Sequence, residues 1–214
     1  MRNQIITIIN DALLFREEYF TREQEIQIYL ADYLNQKNLF DYVYLEYHIP
    51  SNAIENYPWK DSNNIYIDLV VFTEGKFYPI EIKYKTISQT VPLKLFGTES
   101  PVILGHHGAQ NIGCYDFWKD IKRLELFEQT FEKVEKGIML FITNDESYQL
   151  PPRNNEVGYA QFSINQNRIV ESGQTLDWNG ALSISVNRAP IHLVNSYFLK
   201  WSEMKLKQHK YLLL

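Results

Sequence analysis

The spacing of apolar residues changes several times along the chain, and the changes divide it into elements. Ile5, Ile8, Ile9, Ala12, Leu13 and Phe15 recur at helical intervals within residues 3–18. Ile26, Tyr29, Leu30, Tyr33 and Leu34 form a second stripe, which predicts a helix from Arg22 to about Lys37 with Thr21 as its cap. Tyr42–Ile49 then reads as a strand closed by Pro50, and residues 51–63 as a polar loop. Ile65–Phe72 is a β-branched strand, Thr73-Glu74-Gly75-Lys76 a hairpin turn, and Phe77–Tyr84 the returning strand. Ser88, Pro92, Gly97, Pro101, Gly105 and Gly108 predict loop from 86 to about 108. A long helix is expected from about Ala109 to Lys136, stopped by Gly137, followed by a buried strand Ile138–Ile142 that the helical crossover would make parallel to an earlier one. Short strands around Ala160–Ile164, Ala181–Val186 and Ile191–Trp201 complete the pattern.

The order α-β-β-β-α-β, with additional C-terminal β structure, predicts an α/β fold: a central mixed β-sheet flanked by helices. No Pro/Gly/Ser-rich linker interrupts it, so one domain is expected over 1–214, with a core of about 20–143 and an extension over 144–214.

Composition narrows the chemistry. With 45% hydrophobic and 22% charged residues among 214, the chain is neither disordered nor fibrous. No apolar run reaches the ~18 residues a membrane span needs, and Met1–Asp11 turns polar too early for a secretion leader, so a cytoplasmic protein without membrane contact is expected. Cys114 stands alone, which excludes an internal disulfide, a multi-thiolate zinc cluster and a cysteine-ligated iron–sulfur site. A net charge of −5 argues against non-specific coating of nucleic acid, while leaving room for a local basic groove.

The hairpin carries the candidate chemistry. A turn centred between Glu74 and Gly75 sets Asp68 opposite Glu81, with Cβ atoms roughly 5 Å apart on one face. Lys83, two residues on, joins that face. The other face, Ile65, Ile67, Leu69 and Val71 with Tyr78, Ile80, Ile82 and Tyr84, is expected to be uninterrupted core. Opposed carboxylates repel, and a divalent ion satisfies both. Mg²⁺ takes one or two carboxylates, a carbonyl and waters, and an adjacent lysine can orient a bound water or stabilise charge on a phosphate.

Ile67-Asp68 and Glu81-Ile82-Lys83, set in this order of elements, resemble the PD-(D/E)XK nuclease superfamily, the restriction-endonuclease-like fold, over residues 20–143. The resemblance implies that Asp68, Glu81 and the Ile82 carbonyl bind Mg²⁺, for which Mn²⁺ would substitute, and that Lys83 assists the attacking water. It implies a metal-dependent nuclease hydrolysing phosphodiester bonds, with DNA the expected partner before RNA. Ile67 stands where the family name has proline. The family often adds a glutamate from the preceding helix; Glu23, about 20° from Leu30 around the helix, suits that place, as a direct or water-mediated metal partner, better than Glu25. Cutting both strands of a duplex would be simplest with a homodimer or a partner protein.

Gln110 and Lys85 are candidates for substrate contact. Gln110 and Tyr115 have four residues between them, where some exonuclease-like branches of the superfamily have three, and so fall on different faces of a regular helix. Asp116, Asp120 and Arg123, at i, i+4 and i+7, read as a salt-bridge ladder along the helix. His106-His107 reads as a solvent-exposed pair. Lys200, Lys205, Lys207 and Lys210 suit a phosphate track or the solvated face of a terminal helix. The rival to the enzyme is a non-catalytic nucleic-acid-binding or protein-assembly module that keeps the fold.

Overall fold

A computed structural model describes residues 1–55, 57–59, 64–180, 185, 187–206 and 208–214. Helices α1 (Arg2–Phe15) and α2 (Glu23–Gln36) precede strands β1 (Tyr42–Pro50), β2 (Asn64–Thr73), β3 (Lys76–Lys85), β4 (Gln89–Leu95) and β5 (Thr98–Leu104). Helix α3 (Gln110–Thr130) leads to β6 (Ile138–Thr143), and six short strands follow: β7 (Ile169–Val170), β8 (Thr175–Leu176), β9 (Ile191–His192), β10 (Tyr197–Phe198), β11 (Trp201–Glu203) and β12 (Lys210–Leu213). The central sheet runs β1-β2-β3-β6-β12-β11, parallel between β3 and β6 and antiparallel elsewhere. It is the expected mixed sheet, with helices on both sides. Among the described residues, no helix is long and apolar enough to cross a membrane.

One face of the sheet packs Leu69, Val71, Ile80, Ile82 and Leu140 against Ile9, Leu13, Ile26 and Leu30 of α1 and α2. The other packs Val70, Met139 and Phe141 against Phe117, Trp118, Ile121 and Phe127 of α3. The C-terminal segment shares that second core through Ile164, Leu176, Leu193 and Trp201. It is also tied to α3 by Glu125, whose buried carboxylate accepts from Val194 N (3.1 Å), Asn195 N (3.0 Å) and Tyr197 Oη (2.9 Å).

The β2–β3 register is the one the turn dictates: Phe72 pairs with Phe77 and Val70 with Pro79, around a turn where Glu74 (φ 53°) and Gly75 (φ 74°) are both left-handed. The ladder stops at Leu69 and Ile80, however, one step before Asp68 and Glu81. Alternation slips there too. Ile65 and Ile67 lie in the α3-side core, with Leu69 and Val71 on the α1/α2 side, so the expected single apolar face is split between two cores. Opposite Asp68 in β1, Glu46 takes a left-handed φ of 48°, and the distortion is shared by both strands.

Other expectations are corrected by tertiary pairing. Residues 89–104 form a hairpin rather than loop. Phe96 and Gly97 (φ 51° and 84°) make its two-residue turn, and Pro92 lies opposite Pro101 on an isolated two-stranded ribbon that has free edges to accept prolines. Helix α3 ends at Thr130, well before Gly137, because Phe77 N–H donates to Lys133 O (2.9 Å) and Glu135 N–H to Phe77 O (2.9 Å), drawing 131–135 into extended pairing beside β3. An apolar cleft of about 500 Å³ opens there between Phe127, Phe131, Val70 and Pro79. Thr21 does not cap α2: its N–H and hydroxyl both donate to Glu25 (2.7 and 2.6 Å). Ala160–Phe162 is a 3-10 turn, and the lysine-bearing tail forms β11 and β12 instead of a helix. The strand expected at 181–186 falls on residues of which only Ser185 is described, and Lys207 also lies outside the described residues.

Close approach at Gly113 of α3 gives a test of this packing. An added Cβ would run into the hydroxyl and ring of buried Tyr148, with Cζ 3.1 Å away, whereas at Gly105 it meets open space. Gly113→Ala is expected to destabilise by about 1–3 kcal/mol, and Gly105→Ala to stay within about 0.5 kcal/mol of the parent, in urea unfolding.

Candidate active site

Strand β3 is covered on both faces, and alternation sends Glu81, Lys83 and Lys85 toward α3. Each meets an opposite charge there. Glu81 Oε2 lies 2.5 Å from Arg123 Nη2, Lys83 Nζ 2.8 Å from Asp120 Oδ2, and Lys85 Nζ 3.9 Å from Asp116 Oδ2. Arg123 also reaches Asp120 Oδ1 at 3.2 Å. The row Asp116, Asp120, Arg123 therefore does more than the expected ladder along its own helix. It faces the hairpin and forms three ion pairs between helix and sheet. Sequence spacing showed the row but not which way it faced.

Asp68 sits where β2 and β3 separate. Its Oδ2 accepts the Ile82 N–H at 2.6 Å, a donor that the ended ladder no longer satisfies, and its Oδ1 accepts Gln27 Nε2 of α2 at 2.7 Å. Glu23, four residues before Gln27, accepts the Tyr84 N–H at 2.9 Å. Glu23 thus reaches the hairpin, while Glu25 is occupied with Thr21 and Arg22 at the helix start. Gln27 escaped the sequence reading. Its signal was a polar residue inside the apolar stripe, between Ile26 and Leu30, one turn beyond Glu23.

Electrostatics follow from burial. Glu81 is wholly buried, and that burial pushes its carboxyl well above the ordinary range, with Asp68 and Asp120 adding to the rise and Arg123 opposing it. Burial likewise raises Asp68 and Glu23, against the pull of Lys83. Asp120 moves the other way. Burial alone would raise it, but Lys83 and Arg123 flank it and hold it below the usual carboxylate value. Lys83 keeps its proton more firmly than a free lysine: burial is outweighed by Asp120, Glu23, Glu81 and Asp68. Lys83 is a fixed ammonium, also 3.3 Å from the Ile82 carbonyl, and not a base at neutral pH.

When all are ionised, Glu23, Asp68, Glu81 and Asp120 set four negative charges against Lys83 and Arg123, a surplus of two. The donors are hard oxygens, the kind Mg²⁺ prefers. Neither Glu81 oxygen accepts an aligned hydrogen bond, for the 2.5 Å approach of Arg123 is a contact of charges with poor angles. In kind and in charge the residues fit a divalent cation. In position they are less gathered: among the described residues, no three His, Cys, Asp or Glu side chains form a metal-ligand group.

Gln110 lies elsewhere. Its Nε2 donates to Ser147 O (2.7 Å) and its Oε1 accepts from Tyr159 Oη (3.3 Å), so it holds the start of α3 to the chain after β6. Tyr115 is buried, donating to Ala189 O at 3.1 Å and accepting from Trp59 Nε1 at 3.0 Å. His106 and His107 are exposed, although His107 Nδ1 accepts the Thr86 N–H at 3.1 Å. No family model matches this chain, and neither does any curated protein or solved structure.

Opposite pH dependences should separate the two aspartates. A carboxyl raised by folding loses stability for the protein as pH climbs above its ordinary value, whereas one lowered by folding contributes stability that is complete above that value and is lost as pH falls below it. In metal-free buffer, Asp68→Asn should gain on the parent as pH rises from about 4 to about 8. Asp120→Asn should carry its full deficit, about 3 kcal/mol, throughout that range, because it leaves two buried cations without their shared partner, and should close on the parent only as pH falls below about 4. Urea unfolding from about pH 2 to about pH 8 reads both, and changes of the same sign would contradict the assignment.

Proposed function

We propose that the chain is a metal-dependent nuclease that hydrolyses phosphodiester bonds in DNA. The observation that carries the reading is the surplus of negative charge at the point where β2 and β3 part, with the Lys83 ammonium fixed beside it. Asp68, Glu81 and the Ile82 carbonyl would hold Mg²⁺, or Mn²⁺ in its place. The bound ion would supply a water of lowered pKa and neutralise phosphate charge. The chain's own groups divide the remaining work. Gln27 and the Ile82 N–H fix the Asp68 carboxylate. Lys83 donates as a cation to the charge that develops on the phosphate oxygens. Glu23 has one oxygen on the Tyr84 N–H and, with its raised carboxyl, suits the role of proton acceptor for a water.

A second reading is favoured by a different observation. Glu81–Arg123 and Lys83–Asp120 are closed ion pairs, as in a module that keeps the fold for binding or assembly without turnover. Incubating supercoiled, linear and single-stranded DNA, and RNA, with Mg²⁺, Mn²⁺ or EDTA separates the two. The nuclease reading expects DNA cleavage that EDTA abolishes and that Asp68→Ala or Lys83→Ala lowers by about a hundredfold or more with folding retained. Absence of cleavage on every substrate, or activity unchanged in both variants, favours the non-catalytic module.

A further inference from the structure

The pair formed by Glu81 and Arg123 has no part in the chemistry above, yet it lies on a carboxylate assigned to the metal. We propose that Arg123 is an internal counter-ion that holds Glu81 until a divalent cation replaces it, and that it thereby sets the metal affinity of the site. The proposal rests on the metal-dependent reading.

Glu81 is wholly buried, so in the resting protein its charge must be balanced by a neighbouring group and not by water. Arg123 is the cation in contact with it, at 2.5 Å. The contact is not the two-bonded fork by which a guanidinium usually grips a carboxylate. Neither Glu81 oxygen takes an aligned hydrogen bond, and Arg123 Nε is buried without one. Attraction of charge holds the pair across a poorly aligned contact, and a divalent ion competes for the same charge with twice the valence. Arg123 has somewhere to stay when displaced, because Asp120 Oδ1 is 3.2 Å from the same Nη2 and its side chain is 15% exposed. Lys83 cannot take the same part: its ammonium is committed to Asp120 and the Ile82 carbonyl.

Mn²⁺ binding at pH 8.5, read from the electron paramagnetic resonance signal of the free ion, tests this without any reaction. Arg123→Gln is expected to bind Mn²⁺ about tenfold more tightly than the parent, and Asp68→Asn to abolish binding in both backgrounds. Equal or weaker binding by Arg123→Gln, where the parent binds, overturns the counter-ion and leaves the nuclease reading standing. Absence of binding in parent and variant alike overturns both. Should Arg123→Gln fail to fold, Arg123→Lys, a point charge without the guanidinium's reach, is expected to bind more tightly than the parent. Equality there overturns the proposal.

Discussion

Charge on a strand that is buried on both faces is the constraint from which the rest of this structure follows. Glu81, Lys83 and Lys85 project from β3 into the space beneath α3, where an unpaired charge is prohibitively costly. Helix α3 answers with Arg123, Asp120 and Asp116, each of opposite sign to its partner. The match is geometric as well as electrostatic. Two residues of strand advance about 6.6 Å, and three to four residues of helix about 4.5–6 Å, so an antiparallel helix and strand keep three successive pairs within reach. Beyond Arg123 the same two elements turn apolar, Phe127 and Phe131 meeting Phe77 and Pro79 around the cleft.

Those three pairs are electrically neutral as a set, so they account for six charges and no more. Asp68 and Glu23 lie outside them. They approach from β2 and α2, and burial raises both carboxyls. Each satisfies a backbone N–H of β3, Ile82 for Asp68 and Tyr84 for Glu23, yet each costs stability when ionised. The whole surplus of two negative charges traces to this pair. Helix α2 supports both members, Glu23 directly and Asp68 through Gln27 one turn later. Two acids raised by burial beside a neutral ladder are the feature on which the proposed cation site rests.

Local rules made much of this legible in the sequence. The left-handed turn at Glu74-Gly75 fixed the hairpin register, and the 3.6-residue period placed Glu23 rather than Glu25 toward the sheet. What stayed hidden depended on contacts between distant segments. The ladder of β2 and β3 ends one step short of Asp68, so the aspartate turns to a backbone donor across the gap where simple alternation has it directly opposite Glu81. Asp120 and Arg123 looked like partners along one helix because the spacing that joins them also joins either to a strand beneath. The β4–β5 hairpin was masked by Pro92 and Pro101, which usually argue against strands and are tolerated on a two-stranded ribbon with free edges. The end of α3 was set by residues 131–135 pairing beside Phe77, a signal absent from the local sequence.

In the proposed nuclease, Asp120 would tie stability to reactivity. It is shared by Lys83 and Arg123, the two cations of the cluster, and both lose a partner if its charge is lost. Through Lys83 it keeps a proton in place and so fixes that residue as a donor of positive charge. In the proposed reaction, proton acceptance would thereby fall to a carboxylate, and of the four only Glu23, Asp68 and Glu81 are raised toward neutrality. Asp68 has both oxygens occupied by Gln27 and Ile82, and Glu81 is enclosed by Arg123. Glu23 has one oxygen on the Tyr84 N–H and retains the other. On that reading, the same helix charge that pins α3 to the sheet would decide, two contacts away, which acid is left to receive a proton.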